Sequence, residues 1–164
     1  MKVRFLLAGL LFALMSAPAA AQFSSGLAYH HLDADEFSLG GIVGSIGYRF
    51  ELNDAVSLIP EVRGGIGVVD DEFMGADVEL DGIFGGVLRL EFQLNDSVYL
   101  QLSPSYVRYK ASVSSSFADA SFTDEEFGIG GGVGFRFNPN YSVEVAYESV
   151  DDLDVYLVGL RFDY

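Results

Sequence analysis

Apolar and polar positions alternate one for one along most of the chain, most cleanly over its last nine residues, 156–164. Tyr156, Val158, Leu160, Phe162 and Tyr164 fall on one face there, and Leu157, Gly159, Arg161 and Asp163 on the other. Side chains alternate across a strand with period two, so this segment reads as a strand with one apolar and one mixed polar side. The same pattern predicts strands over 24–32, 38–52, 55–69, 78–94, 97–110, 125–137, 141–150 and 153–164. After residue 22 no apolar run approaches the ~20 residues of a membrane-spanning helix.

The alternation is organised by a repeat of about 42 residues. Gly44-Ser-Ile-Gly-Tyr-Arg-Phe-Glu-Leu-Asn-Asp-Ala-Val-Ser-Leu58 matches Gly86-Val-Leu-Arg-Leu-Glu-Phe-Gln-Leu-Asn-Asp-Ser-Val-Tyr-Leu100, and a third copy runs from Gly130 to Val145. Each copy reads as a β-hairpin. The turns fall at Asn53-Asp54, Asn95-Asp96 and Asn138-Pro139-Asn140, where Asn and Asp tolerate φ > 0 and Pro presets φ. The remaining connections, centred on 33–37, 70–77, 111–123 and 151–154, are mostly longer and acidic. Three tight turns at one end and four loops at the other require eight antiparallel strands with both termini on the tight-turn side. A ten-stranded barrel would need a fourth tight turn, and the sequence has none.

Sorting by face separates two surfaces. One carries Ile42, Ile46, Tyr48, Phe84, Leu88, Leu100, Val133, Val145 and their alternates; the other carries most of the charge. Apolar outside and polar inside is expected when the outer solvent is lipid. Aromatic residues gather beside the tight turns (Phe50, Phe92, Phe137, Tyr141, Phe162, Tyr164) and again nearer the loops (Tyr29, Phe84, Tyr106, Phe127, Tyr147, Tyr156), as two interfacial girdles would. A soluble lipocalin-like barrel would invert the faces. Period-two alternation alone does not separate the two cases, but turn asymmetry and paired aromatic rims favour the membrane. Gly128, Gly130, Gly132 and Gly134 share the inner face of one strand, and Gly40, Gly41, Gly44, Gly47, Gly82, Gly85 and Gly86 crowd two others. Missing side chains leave room for long Arg and Glu in a narrow barrel. No P-loop lysine follows the glycines, so a phosphate-binding loop is excluded.

The first 21 residues are of another kind. Lys2 and Arg4 precede an apolar run from Phe5 to Met15 and the small-residue stretch Ser16–Ala21. This pattern predicts a secretory signal peptide over 1–21, cleaved before Gln22, and a single mature domain over 22–164. The chain has no cysteine, which excludes disulfides and thiolate metal sites. Its net charge is −15, and losing Lys2 and Arg4 makes it −17, so nucleic acid is not a partner.

The candidate chemistry lies in two places. Inner-face charges come as near neighbours, Arg49/Glu51, Glu61/Arg63, Arg89/Glu91 and Arg161/Asp163, with Arg136 and Glu144 beside them. They predict a network that neutralises and fills an eight-stranded lumen, which is only just wide enough for side chains. The loops repeat an acidic–aromatic phrase. Asp35-Glu36, Asp71-Glu72, Glu125-Glu126 and Asp151-Asp152 form either a solvated charged rim or oxygen ligands for Ca²⁺ or Mg²⁺. No cofactor is implied. His30 and His31 are adjacent in a strand near the loops, so they face opposite ways.

The signal peptide, hairpin repeat, glycine-rich strands and closing Gly159-Leu-Arg-Phe-Asp-Tyr164 together resemble the small porin-family barrels related to the OmpA transmembrane domain and the opacity proteins. The resemblance covers 22–164. It implies a transmembrane β-barrel in the bacterial outer membrane, with three short periplasmic turns, four external loops and both mature termini in the periplasm. It further implies contact with outer-membrane lipid and lipopolysaccharide, and recognition of the C-terminal strand by the barrel-assembly machinery through Gly159, Phe162 and Tyr164. The chain ends with the barrel, so the peptidoglycan-binding domain of full-length OmpA-like proteins is not expected. The leading expectation is a non-enzymatic barrel serving surface or envelope structure or loop-mediated contacts. A narrow channel for small solutes or ions is the alternative. A lipid A-modifying enzyme using His30 or His31 with a Ser and a carboxylate is the third.

Overall fold

The computed structural model describes residues 22–34, 37–73, 76–114, 119–151 and 153–164. Among the described residues nine strands follow one another: β1 (Gln22–Ala34), β2 (Phe37–Asn53), β3 (Val56–Val69), β4 (Asp71–Phe73), β5 (Ala76–Gln93), β6 (Val98–Ser114), β7 (Asp119–Asn138), β8 (Tyr141–Val150) and β9 (Leu153–Asp163). Each wall strand pairs antiparallel with its sequence neighbour, and β1 pairs with β9, from Ser24↔Asp163 to Asp33↔Asp154. A β3–β5 ladder, Val56↔Phe92 to Gly65↔Ile83, completes the ring. The result is a closed, eight-stranded, up-and-down barrel. β4 is a short hairpin arm outside the ring, paired only with β5.

Asparagine builds all three tight turns by one device. The Asn53 side-chain oxygen accepts the Ala55 amide at 2.9 Å, Asn95 accepts Ser97 and Val98, both at 3.0 Å, and Asn138 accepts Asn140 at 2.9 Å. Each side chain satisfies a backbone donor two residues on, as in an Asx-turn. Tolerance of positive φ, expected from the sequence, is not what selects these residues. Among described non-glycine residues only Asp151, at the opposite end, has positive φ, at 50°.

The connections at that opposite end are shorter than the sequence suggested, because the strands run on. β6 and β7 stay in register out to Ser114↔Asp119, and β5 folds back on β4. A tilted membrane strand needs roughly 9–11 residues; β7 has 20 and β5 has 18. The surplus projects as hairpin beyond the girdle, where Ser, Ala and Asp replace the larger apolar residues.

The two faces separate as alternation predicts. Phe84 is 65 % and Phe127 72 % exposed on the outside, whereas Val107 and Val155 are fully buried within. Near the tight turns Tyr141 meets Phe162 edge-on at 5.5 Å, and Phe23 meets Tyr48 at 5.7 Å and Tyr164 at 6.0 Å. At the other rim Tyr147 lies 5.5 Å from Tyr156 and Tyr106 6.5 Å from Phe127.

The glycines divide into two classes. A Cβ on Gly134 would lie 2.1 Å from the Tyr99 ring, and one on Gly132 would lie 2.5 Å from the Val145 carbonyl. Gly44, Gly64 and Gly86 sit on the outer face with nothing nearer than 3.8 Å. Gly44 and Gly86 therefore make no room for inner charges, contrary to the expectation for those two strands.

Candidate functional site

The inner face carries three tiers of charge from the tight-turn end upward. The lowest is Arg49, whose Nη1 donates to Glu91 Oε2 at 2.6 Å and whose Nη2 donates to Asp163 Oδ2 at 3.3 Å; Arg136 Nη2 lies 3.6 Å from the same Glu91 oxygen. Arg136 also donates to Gln93 at 2.8 Å and lies 4.9 Å over the Tyr99 ring.

Above it stands a quartet in which both carboxylates are shared by both guanidinium groups. Glu61 accepts Arg89 Nε at 3.0 Å and Arg161 Nη1 at 2.7 Å; Glu144 accepts Arg89 Nη1 at 3.0 Å and Arg161 Nε at 2.8 Å. Tyr99 donates to Glu144 at 2.6 Å, and Arg161 also reaches Ser24 Oγ at 2.9 Å. The third tier is a bidentate pair, Arg63 to Glu148 at 2.7 Å through each nitrogen, with Ser105 donating to Glu148. Charge-assisted forks of this kind are short and geometrically demanding.

Arg89–Glu61 and Arg161–Glu144 join neighbouring strands, whereas Arg49–Glu91, Arg49–Asp163, Arg89–Glu144, Arg161–Glu61 and Arg63–Glu148 reach between strands that are not paired. None of the adjacent pairs Arg49/Glu51, Glu61/Arg63, Arg89/Glu91 and Arg161/Asp163 bonds within its own strand. Two residues on one face lean parallel, whereas residues facing across the lumen meet head to head. Glu51, expected in the network, is instead exposed at the tight-turn rim and forms no ion pair with a described residue.

Toward the loops the inner face turns apolar. Leu32, Leu39, Val43, Val78, Leu80, Ile83, Val107, Val150 and Val155 form one buried cluster, with Tyr109, Leu153 and Leu157 packed against it. Sequence reading missed this cluster, although its signal was present: the inner positions of β2 and β9 change from Arg49 and Arg161 to Val43, Leu39, Leu157 and Val155. Between the quartet and the cluster is a cavity of about 50 Å³, bordered by His30, Arg63, Gln101 and Glu148. His30 is buried inside, not at the rim as expected, and its Nδ1 has no hydrogen-bond partner. His31 faces out against Tyr156, ring centroids 6.4 Å apart.

The acidic residues of the loop end are dispersed. Asp71 accepts the Ser38 amide at 2.8 Å. Glu125 accepts from Tyr106 at 2.7 Å and from Arg108, and these two, the hydroxyl first, hold it below the usual carboxylate range. Glu126 is half-buried and Asp151 exposed; the backbone of Glu72 pairs with Asp77. Asp35, Glu36 and Asp152 lie outside the described residues. Among the described residues no three His, Asp or Glu side chains converge on a point where a metal ion could sit. Sequence reading also overlooked Arg108 and Lys110, the two cations of the outer face; Lys110 lies 3.7 Å from Asp81.

The C-terminal strand is anchored at each of its marked residues. Gly159 pairs with Ala28, whose Cβ lies 2.8 Å from where a glycine Cβ would be. Phe162 joins the lower girdle, and the Tyr164 amide donates to the Phe23 carbonyl at 2.9 Å.

A closed eight-stranded barrel with a lipophilic outside, paired aromatic rims and a salt-bridged lumen defines a small transmembrane β-barrel of the bacterial outer membrane. The sequence matches the outer membrane protein beta-barrel domain model over residues 5–163, and the chain belongs to that family. No curated protein matches it by sequence. Solved structures that share the fold include the following three. Ail, the attachment invasion locus protein of Yersinia pestis, is 21 % identical with a TM-score of 0.62, covering 88 % of this chain and 97 % of Ail. The N-terminal barrel of Pseudomonas aeruginosa OprF is 15 % identical at 0.63, covering 88 % and 99 %. Neisserial surface protein A is 16 % identical at 0.57, covering 89 % and 98 %.

Proposed function

We propose that this protein is a non-enzymatic outer-membrane barrel with a closed lumen, acting through its external surface in envelope structure or loop-mediated contacts. The observation that carries the reading is the double filling of the lumen: five arginines locked to carboxylates, and an apolar cluster above them. Opening a water thread through the first requires breaking several buried ion pairs, each costly to leave half-made. The second offers an ion nothing to coordinate.

The alternatives are weaker on particular grounds. A channel would have to pass the apolar cluster. A lipid-modifying enzyme would need an outward histidine joined to a serine and a carboxylate; His30 faces the lumen, and His31, which faces out beside Tyr156, has no hydrogen bond to a described residue. The four acidic loop pairs read as a solvated, repulsive rim, and the C-terminal Gly159, Phe162 and Tyr164 as the segment recognised during membrane assembly. Residues 1–21 read as the cleaved export signal, and the tight turns and mature termini as periplasmic. Outer-membrane lipid and lipopolysaccharide are the immediate partners.

Ail has been solved in complex with the heparin analogue sucrose octasulfate. This chain is strongly acidic, the same sign as a polysulfate. Its two described outward cations, Arg108 and Lys110, are both engaged by carboxylates, so binding of a polysulfate is not expected. Planar-bilayer recording of the refolded protein tests the central reading. A correctly folded barrel that gives no steps supports it. Reproducible steps that change on Arg63→Gln replace it with the channel.

A further inference from the structure

At the tight-turn end the lumen widens into a vestibule of about 620 Å³, within the usual size of a small-molecule site. Its charged lining is unbalanced. Arg49 and Arg136, with the α-ammonium that cleavage before Gln22 leaves at this mouth, stand against Glu51, Asp54, Glu91, Asp96 and Asp163, three positive against five negative, for a net of −2. The lowest ion-pair tier is its floor, and that tier is incompletely satisfied. Glu91 gives Oε2 to both arginines and keeps Oε1 without a partner; Asp163 gives Oδ2 to Arg49 and keeps Oδ1 without one. The two residues are only 2 % and 5 % exposed. A carboxylate is an acceptor only, so whatever completes these oxygens must bring N–H or O–H donors or positive charge.

We propose that the vestibule binds a small organic polycation with primary ammonium groups. One end donates to the free oxygens of Glu91 and Asp163, and the rest is held by Glu51, Asp54 and Asp96 at the mouth. The distribution favours spaced charges over a single ion. The free oxygens come from β5 and β9 with Arg49 between them, and no metal-holding cluster forms among the described residues. A linear ligand reaches the floor past the arginines and meets the mouth carboxylates with its other charges. The proposal rests on the reading that the lumen is closed above this floor.

Spermidine is the probe. It is titrated at low ionic strength into the protein refolded in micelles, and backbone amide shifts are followed. The expected result is a saturable change centred on Arg49, Glu91 and Asp163, not reproduced by Mg²⁺ at matched ionic strength. Glu51→Gln combined with Asp96→Asn removes two exposed mouth charges without touching the ion pairs. It should weaken binding about fivefold, at the scale of two exposed charge contacts, with heat-modifiable gel mobility unchanged. Glu91→Gln should weaken it further. Shifts that grow linearly with ionic strength, that Mg²⁺ reproduces, or that appear only in the loops overturn the proposal. A barrel that conducts yet binds spermidine here keeps the site and loses the closed lumen. A silent barrel that binds nothing does the reverse.

Discussion

Toward the tight turns the inner face of β2 presents Arg49, and toward the loops it presents Val43 and Leu39; β9 repeats the change, from Asp163 and Arg161 to Leu157 and Val155. The two halves of one lumen are thus filled by unlike means. In the polar half each arginine is aimed at a carboxylate partner, so a single deletion leaves a buried charge undercompensated. In the apolar half the groups fill volume, and a deletion leaves a gap into which neighbours can partly relax. Buried ion pairs add little net stability over apolar residues of the same shape, but they are severe about geometry. The polar half therefore fixes how the strands face one another, and the apolar half excludes water from the loop end.

The contrast is broken most sharply at Glu144. Replacing it with Ala takes one partner from each of Arg89, Arg161 and the Tyr99 hydroxyl, leaves Glu61 alone between two buried guanidinium groups, and should cost about 3–5 kcal/mol, read from urea unfolding in micelles. Leu80→Ala in the apolar cluster should cost less, about 2–4 kcal/mol, by the same measurement. A larger loss at Leu80 than at Glu144 would invert the assignment of the two halves.

Gly134→Ala forces the Tyr99 ring aside and should lose about 1–3 kcal/mol, as overpacking does. Gly64→Ala on the outer face makes only ordinary contacts, at 3.8 Å, and should shift the same transition by no more than a few tenths of a kcal/mol. Equal effects at these two positions would mean that inner crowding is not what selects Gly134. The smallest resolvable change is expected at the turns: Asn95→Ala removes two side-chain-to-backbone hydrogen bonds and should cost about 1 kcal/mol.

Much of this arrangement was legible in the chain itself. Alternation and the hairpin repeat gave strand number, order and the outward set, because a closed barrel forces one face of every strand toward one solvent. The five lumenal arginines were legible for the same reason. Their partners were not. Which Glu meets which Arg depends on barrel stagger and on reach across the lumen, and neither leaves a local trace. That is why Arg49 pairs with Glu91 and Asp163 and not with Glu51. The apolar cluster was hidden by the assumption that an inner face is polar along its whole length, although Val43, Leu80 and Val155 marked the change. The loops were overestimated because Ser, Ala and Asp near 111–123 read as irregular, while hairpin pairing simply continues beyond the girdle.

The most direct test of closure by two unlike seals in series is single-channel recording on four refolded proteins: wild type, a polar variant with Arg49→Ser, Arg63→Ser and Arg89→Ser (one arginine from each tier), an apolar variant with Val107→Ser and Leu80→Ser, and the combination of both sets. Each is first shown to be folded by heat-modifiable mobility. Two seals in series predict that wild type and each partial variant stay silent and that only the combined variant gives steps. Steps in the wild type, or in the polar variant with the apolar cluster intact, would contradict it.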